Sequence, residues 1–308
     1  MPKFKITAKD VNVPADVPKS KKAEYIKNHL ELTKKSGNLF LFAGDQKIEH
    51  LNSDFYGKGI AKDDNNPEHL FRIAKQGKVG VFASQLGLIA HYGNKYKTVP
   101  YLIKLNAKTN LVDVKQKDPY SEQINTVQQV MEVKKDKKLK ILGVGYTLYL
   151  GSEFETDMIA QVSRIIYNAH KNGLVTVIWI YPRGKAVKDE KHPDIIAGAT
   201  GVGASLGADF VKVNYRKEKG KKSAQIFQQA IESAGTTKVI CAGGSNTKIE
   251  NFLKDLHDQI HISGAHGNAT GRNLHQRELQ EAVKLCKAIS AIVIEGKTVE
   301  QAMKIYKK

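Results

Sequence analysis

A closed (β/α)8 barrel with an N-terminal capping arm and helix is the α/β fold that this 308-residue sequence predicts. Two observations carry the prediction. Eight short apolar, β-branched runs alternate with amphipathic helical patterns, and no G-x-G-x-x-G follows the first run. Alternation returns each crossover to the same end of the sheet, so the strands are parallel. Eight such units suit a closed barrel better than an open doubly wound sheet, and the missing fingerprint counts against a dinucleotide fold.

Residues 1–37, with three prolines and many lysines, read as an arm and a capping helix. Residues 38–308 form the barrel, within one domain overall. The strands are predicted at Asn38–Gly44, Val79–Ser84, Val99–Asn106, Ile141–Leu148, Leu174–Tyr181, Ala208–Tyr215, Lys238–Gly244 and His261–Thr270. Between them, Asn66 caps a helix with Pro67 in its first turn. Ser152 and Glu155 have capping-box spacing, and Gly173 closes the helix they begin. Ser223–Gly235 and Thr247–Ile260 fill the next two gaps. Two closing helices follow residue 273.

Hydrophobic residues make up 41% and charged residues 26%, an ordinary soluble composition. The start MPKFKITAKD has no apolar signal core, and the run Ile141–Leu150 is far too short to span a bilayer, so a cytoplasmic protein without a membrane partner is expected. Cys241 and Cys286 read as small buried hydrophobes. The net charge of +18 would attract anions. Its lysines are dispersed through helices and loops, however, with no aromatic-interleaved stripe, which argues against a specific nucleic-acid partner. The ten histidines are scattered and no H-E-x-x-H occurs, so neither a metal nor another cofactor is expected.

The site of such a barrel lies at the carboxyl ends of its strands, which selects the polar residues there. In ADFVKVNY, Phe210, Lys212 and Asn214 share the face opposite Val211 and Val213, so Lys212 points inward. Desolvation lowers the pKa of such a lysine, and a neutral amine is what Schiff-base formation needs. The plainer reading is an ion pair with a carboxylate such as Asp45. Tyr181 shares the inward face of its strand with Trp179, and its phenol can relay a proton or merely pack the rim. Asp45 either orients a substrate hydroxyl or caps the next helix. Lys104 is a cationic neighbour able to depress the Lys212 pKa. The turns Gly243-Gly244-Ser245 and Gly271-Arg272 have the chemistry of phosphate sites, with a guanidinium for the oxygens.

FAGDQKIEHLNSDF, YLIKLNAKTNL, WIYPRGKAVKDEKHPDIIAGA, LGADFVKVNY, AGGSNTKIENFL and TGRNLHQRE, in this order, resemble the archaeal-type class I fructose-1,6-bisphosphate aldolases from about Asn38 to Glu295. The resemblance implies that Lys212 forms the Schiff base and Tyr181 is the general acid/base. It places Trp179, Arg183, Asp45, His50 and Asp54 around the substrate, and Gly243, Gly244, Gly271 and Arg272 at phosphate. It also implies a phosphorylated sugar as substrate and a homo-oligomer. The chain departs from the family pattern at Gln46 and Lys47, where histidine and glycine are common, at Ala242, where serine is frequent, and at Thr270, where an apolar residue is usual. A related lysine-dependent lyase or transferase of aromatic precursor synthesis, a non-covalent phosphate-binding isomerase and a basic nucleic-acid-binding protein are the competing readings.

Overall fold

The computed structural model describes residues 4–112, 117–216, 222–244 and 247–308. Eight parallel strands close in chain order: β1 (Leu39–Ala43), β2 (Val81–Gln85), β3 (Tyr101–Lys104), β4 (Ile141–Leu150), β5 (Val175–Pro182), β6 (Phe210–Val213), β7 (Lys238–Ala242) and β8 (Gly267–Thr270). β1 pairs with both β2 and β8, which completes the ring. The (β/α)8 barrel expected from the alternation is the fold.

Strand alternation divides the apolar side chains into two cores. Leu41, Ala83, Leu102, Val177, Phe210 and Ile240 fill the barrel interior, whereas Phe42, Phe82, Ile103, Ile178, Val211 and Val239 meet the helix layer. Trp179 and Lys212 thereby share the interior, paired in register across β5 and β6. Room for the indole comes from β4: a Cβ on Gly145 would stand 2.4 Å from Trp179 Cζ3.

Several boundaries differ from the sequence reading. β4 runs on to Leu150, two residues past its expected end, and so carries Tyr149 to the strand's carboxyl end. The eighth strand is only Gly267–Thr270. Helix Ile249–His261 takes the start of the expected run, and Ser263 and Ala265 donate back to Asp258 O and Gln259 O at 3.0 and 2.9 Å. Asn66 does cap helix Glu68–Gly77, its Oδ1 accepting from Glu68 N–H at 3.0 Å. The Ser152–Glu155 box does not form, because helix Glu155–Lys171 begins two residues too late for it. Ser152 Oγ instead accepts from Phe154 N–H at 3.3 Å, and Glu155 accepts from Gly151 N–H at 2.6 Å. The expected Ser223–Gly235 helix is broken into Lys222–Ile226 and Gln228–Ser233. Among the described residues no helix is long and apolar enough to cross a membrane.

Helix Lys22–Leu32 covers the amino-terminal mouth of the barrel, where a buried polar network ties it down. Asp209, just before β6, accepts from Thr176 N–H at 2.7 Å and from the Tyr25 hydroxyl. His170 bridges Asp209, at 3.1 Å, to Asp16 in the arm, at 2.8 Å. Burial opposes a charge on this imidazole, but hydrogen bonds and charge from Asp209 and Asp16 outweigh it and push its pKa up to about 9. A folded pKa above the unfolded one stabilises the fold fully below about pH 6.5, and the effect is lost as pH rises through 9. The stability advantage over a His170→Asn variant in urea unfolding is therefore expected to shrink by on the order of 3 kcal/mol between pH 6 and pH 10. A pH-independent difference would show that His170 does not hold the arm by charge.

Candidate active site

At the carboxyl ends of the strands lies a polar cleft open to solvent. It is lined by Asp45 from the β1 end, Trp179, Tyr181 and Arg183 from β5, Lys212 and Asn214 from β6, and by Gly243, Gly244, Gly271 and Arg272. His50 also faces it, while Lys104 and Asp54 stand behind its wall. Ser245 lies outside the described residues. Of the sequence candidates, the rest converge on one cavity.

Two lysines share the Trp179 ring, and their surroundings set them apart. Lys104, fully buried, donates to Asp45 Oδ2 at 2.9 Å, approaches Glu49 Oε1 at 3.4 Å and sits 4.6 Å from the indole centroid. Burial opposes its charge, yet the two carboxylates hold its pKa above the usual lysine value. The Asp45 carboxyl, despite its own burial, stays below the usual range because Lys104 and Lys212 are near. Lys212 lies 5.3 Å from the same indole and is 8% exposed. No hydrogen bond or ion pair engages it among the described residues. Burial, partly offset by Asp45 and reinforced by the Lys104 charge, brings its pKa down to about 8. Lys104, and not Lys212, is thus the lysine that neutralises Asp45. Asp45 stands at the N-cap position of helix Gln46–Glu49, but its side chain makes no capping hydrogen bond there.

This division of labour yields a test. Lys104→Met would release Asp45 to Lys212 and raise the Lys212 pKa. The acid limb of kcat/KM is expected to move up by about one unit or more, with activity at pH 7 down roughly tenfold and recovered at pH 9 to 10. Loss of activity without movement of the limb would mean that Lys104 only supports the fold.

Opposite Lys212, the Tyr181 ring centroid lies 5.9 Å from its Nζ, and the Arg183 guanidinium stacks on the phenol at 4.9 Å. Burial, with the nearby Glu49 and Asp45 charges, pushes the Tyr181 hydroxyl far up and keeps it protonated, although Arg183 and Lys104 pull the other way. Arg183 is itself held by Glu190 at 2.6 Å. Two buried donors, Trp179 Nε1 and Asn214 Nδ2, have no partner among the described residues, so a polar substrate group can satisfy them. Tyr149, opposite Tyr181 in strand register, also lines the cleft. Sequence reading missed it because the fourth strand was ended one residue short of it. Glu49 was missed too; its only signal was its place beside His50.

At the other end, the turns after β7 and β8 are joined. Asn273 donates to Gly243 O at 3.1 Å and accepts from Thr247 N–H at 3.2 Å. Arg272 Nε stands 3.7 Å from Asp54 Oδ2, and His50 Nδ1 bonds the same carboxylate. Of the departures from the family pattern, Thr270 turns away and donates to Asn268 Oδ1 at 2.6 Å, because Ala269 takes the inward position. Lys47 leaves the cleft to cover the Phe55 ring at 4.2 Å. Gln46 and Ala242 do face the cleft. Among the described residues no three His, Cys, Asp or Glu side chains are grouped to hold a metal ion.

The cleft combines an uncharged-capable amine, a protonated phenol and two glycine turns beside a guanidinium, a set suited to imine chemistry on a phosphorylated carbonyl compound. Comparison with known proteins agrees. A family model described as DeoC/LacD family aldolase matches residues 39–277. A Methanocaldococcus jannaschii protein, fructose-bisphosphate aldolase/6-deoxy-5-ketofructose 1-phosphate synthase, is 58% identical over 302 residues, 98% of this chain and 96% of that one. The solved fructose-bisphosphate aldolase from Slackia heliotrinireducens superposes with a TM-score of 0.96 at 52% identity, covering 98% of this chain and 96% of that one. An archaeal fructose-1,6-bisphosphate aldolase, with its catalytic lysine covalently bound to the carbinolamine intermediate of the substrate, superposes with a TM-score of 0.75 at 31% identity. That match covers 87% of this chain and 98% of the other. The chain belongs to the DeoC/LacD aldolase family, and so to the lyases, alongside the archaeal class I fructose-bisphosphate aldolases that its motifs resemble.

Proposed function

We propose that the chain cleaves and forms fructose 1,6-bisphosphate through a Schiff base on Lys212. The observation that carries this reading is the pairing of Asp45 with Lys104, which leaves Lys212 without a carboxylate partner among the described residues and with a pKa of about 8. The neutral amine attacks the C2 carbonyl to give a carbinolamine. Tyr181 gives its proton to the departing hydroxyl, so that water leaves and a protonated imine remains. The resulting phenolate, stabilised by that cation and by Arg183, takes the C4 hydroxyl proton as the C3–C4 bond breaks. The bonding electrons pass into the imine as an enamine, and glyceraldehyde 3-phosphate departs. Protonation at C3 and hydrolysis then release dihydroxyacetone phosphate and the free amine.

The remaining roles are those that the family resemblance and the lining of the cleft support. Asp45, Trp179, Asn214, Arg183 and His50 orient the substrate, and Asp54 positions His50 and Arg272 from behind. Gly243, Gly244, Gly271 and Arg272 hold phosphate, a role the resemblance extends to the turn at Ser245. The chemistry is completed by the imine and calls on no metal. A phosphorylated sugar is a metabolite of the cell interior, which supports a cytoplasmic enzyme. The Methanocaldococcus relative favours a second use of the same enamine, because its name also includes 6-deoxy-5-ketofructose 1-phosphate synthase. There the enamine would add to an unphosphorylated ketoaldehyde in place of glyceraldehyde 3-phosphate.

Borohydride reduction in the presence of fructose 1,6-bisphosphate, followed by peptide mass mapping, tests the shared chemistry. A reduced sugar adduct on Lys212 is expected. An unmodified Lys212 beside undiminished cleavage would refute the mechanism. Release of glyceraldehyde 3-phosphate, with and without added ketoaldehyde, separates the two uses.

A further inference from the structure

The turn that carries Gly271 and Arg272 is backed by Gln46, to which neither the strand pattern nor the family motifs give a role. Its carboxamide lies directly against the turn, since a Cβ on Gly271 would stand 2.1 Å from Gln46 Oε1. Behind it, His275 Nε2 meets Gln46 Oε1 at 3.2 Å, and His275 Nδ1 meets Asp64 Oδ2 at 2.7 Å. Phe55 stacks on the imidazole at 4.5 Å, and Lys47 covers the other side of that stack, so the ring is fixed. His275 and Asp64 are both fully buried. The carboxamide oxygen can only accept, so the ring nitrogen that meets it, Nε2, is a donor. It takes the carboxamide oxygen and leaves the amino group on the other side, where no hydrogen bond engages it among the described residues.

We infer that Gln46 determines specificity for the phosphorylated end of the substrate, its amino group donating to a phosphate oxygen held at Gly271 and Arg272 and its orientation set by the Asp64–His275 pair. The inference rests on the Schiff-base reading and extends it. It also gives the departures a common sense: Ala242 faces the cleft without a hydroxyl, and Gln46, on the other side of the β8 turn, supplies a neutral donor in its place. A neutral donor adds no charge beside Arg272, and it accepts no proton from a phosphate monoester.

Borohydride trapping on Lys212 as a function of dihydroxyacetone phosphate concentration provides the test. Gln46→Ala removes the donor, and Gln46→Glu keeps an acceptor for His275 while setting an anion against the phosphate. The half-saturating concentration is expected to rise about tenfold in Gln46→Ala and about a hundredfold in Gln46→Glu, with the same trapping plateau. The common plateau shows that both variants are folded with Lys212 in place. A support role for the Gly271 turn would instead be rescued by glutamate, and Gln46→Glu at or below the Gln46→Ala value overturns the inference. A lowered plateau at unchanged half-saturation overturns it as well. No trapping in the wild-type chain would be a failure of the Schiff-base reading, distinguishable from either result.

Discussion

Replacement of Lys212 by methionine is expected to lower kcat/KM for fructose 1,6-bisphosphate by at least about 10⁴-fold, equivalent to about 5.5 kcal/mol of transition-state stabilisation. No borohydride-stable adduct should remain on the 212 peptide. Methionine matches the lysine stem in length and packs against the Trp179 ring, so the barrel interior is kept. The stability change should have the opposite sign to the activity change. The folded chain lowers the Lys212 pKa from 10.5 to about 8, so it disfavours the charged amine at neutral pH relative to the unfolded chain. That penalty is present below pH 8 and vanishes as pH rises past 10.5. The methionine variant should therefore melt at a higher temperature than wild type at pH 7, with the difference narrowing at high pH. An inactive but more stable variant is the mark of a residue retained for chemistry. If it were instead less stable, with activity reduced only in proportion to unfolding, Lys212 would be a structural residue and the imine mechanism would fall.

The parts of the molecule that were legible in the sequence were those set by local period. Alternation along ADFVKVNY and LVTVIWIY placed Lys212, Trp179 and Tyr181 on inward faces, and the structure puts Trp179 and Lys212 in register on adjacent strands. What stayed hidden depends on contacts between distant segments. Lys104 and Asp45 are 59 residues apart, so which of two inward lysines would take the carboxylate could not be read from either strand. The Asp209–His170–Asp16 network likewise joins the arm, the end of a helix and the start of β6. Tyr149 was lost to a boundary error of two residues, within the usual uncertainty of element ends. The glycine-rich eighth strand was overextended because His261 and Ile262 suit either a strand start or a helix end. Only the packed turn at Ser263–Ala265 decides between them.

Tyr181→Phe is expected to lower kcat for fructose 1,6-bisphosphate cleavage by about 10²- to 10⁴-fold, the range for loss of a positioned proton-transfer group. KM should change little. The phenylalanine ring preserves the surface on which Arg183 stacks, so substrate binding and the Arg183–Glu190 pair survive. The phenol serves twice in the proposed sequence, giving a proton to the departing water and then taking the C4 hydroxyl proton. These steps need not suffer equally. Water can supply the first proton from the open side of the cleft, but the C4 hydroxyl has to lose its proton while held against the pocket wall. Cleavage should therefore slow more than imine formation, and the six-carbon imine should accumulate. Rapid borohydride quenching would then trap a hexose bisphosphate on Lys212 in the variant, where the wild-type chain yields chiefly the triose phosphate adduct. A variant that cleaves at the wild-type rate, or one that accumulates only the triose adduct, would remove Tyr181 from the bond-breaking step. In the second case a different group facing C4 would have to accept the proton; Tyr149, opposite Tyr181 in register, is the next phenol placed to do so.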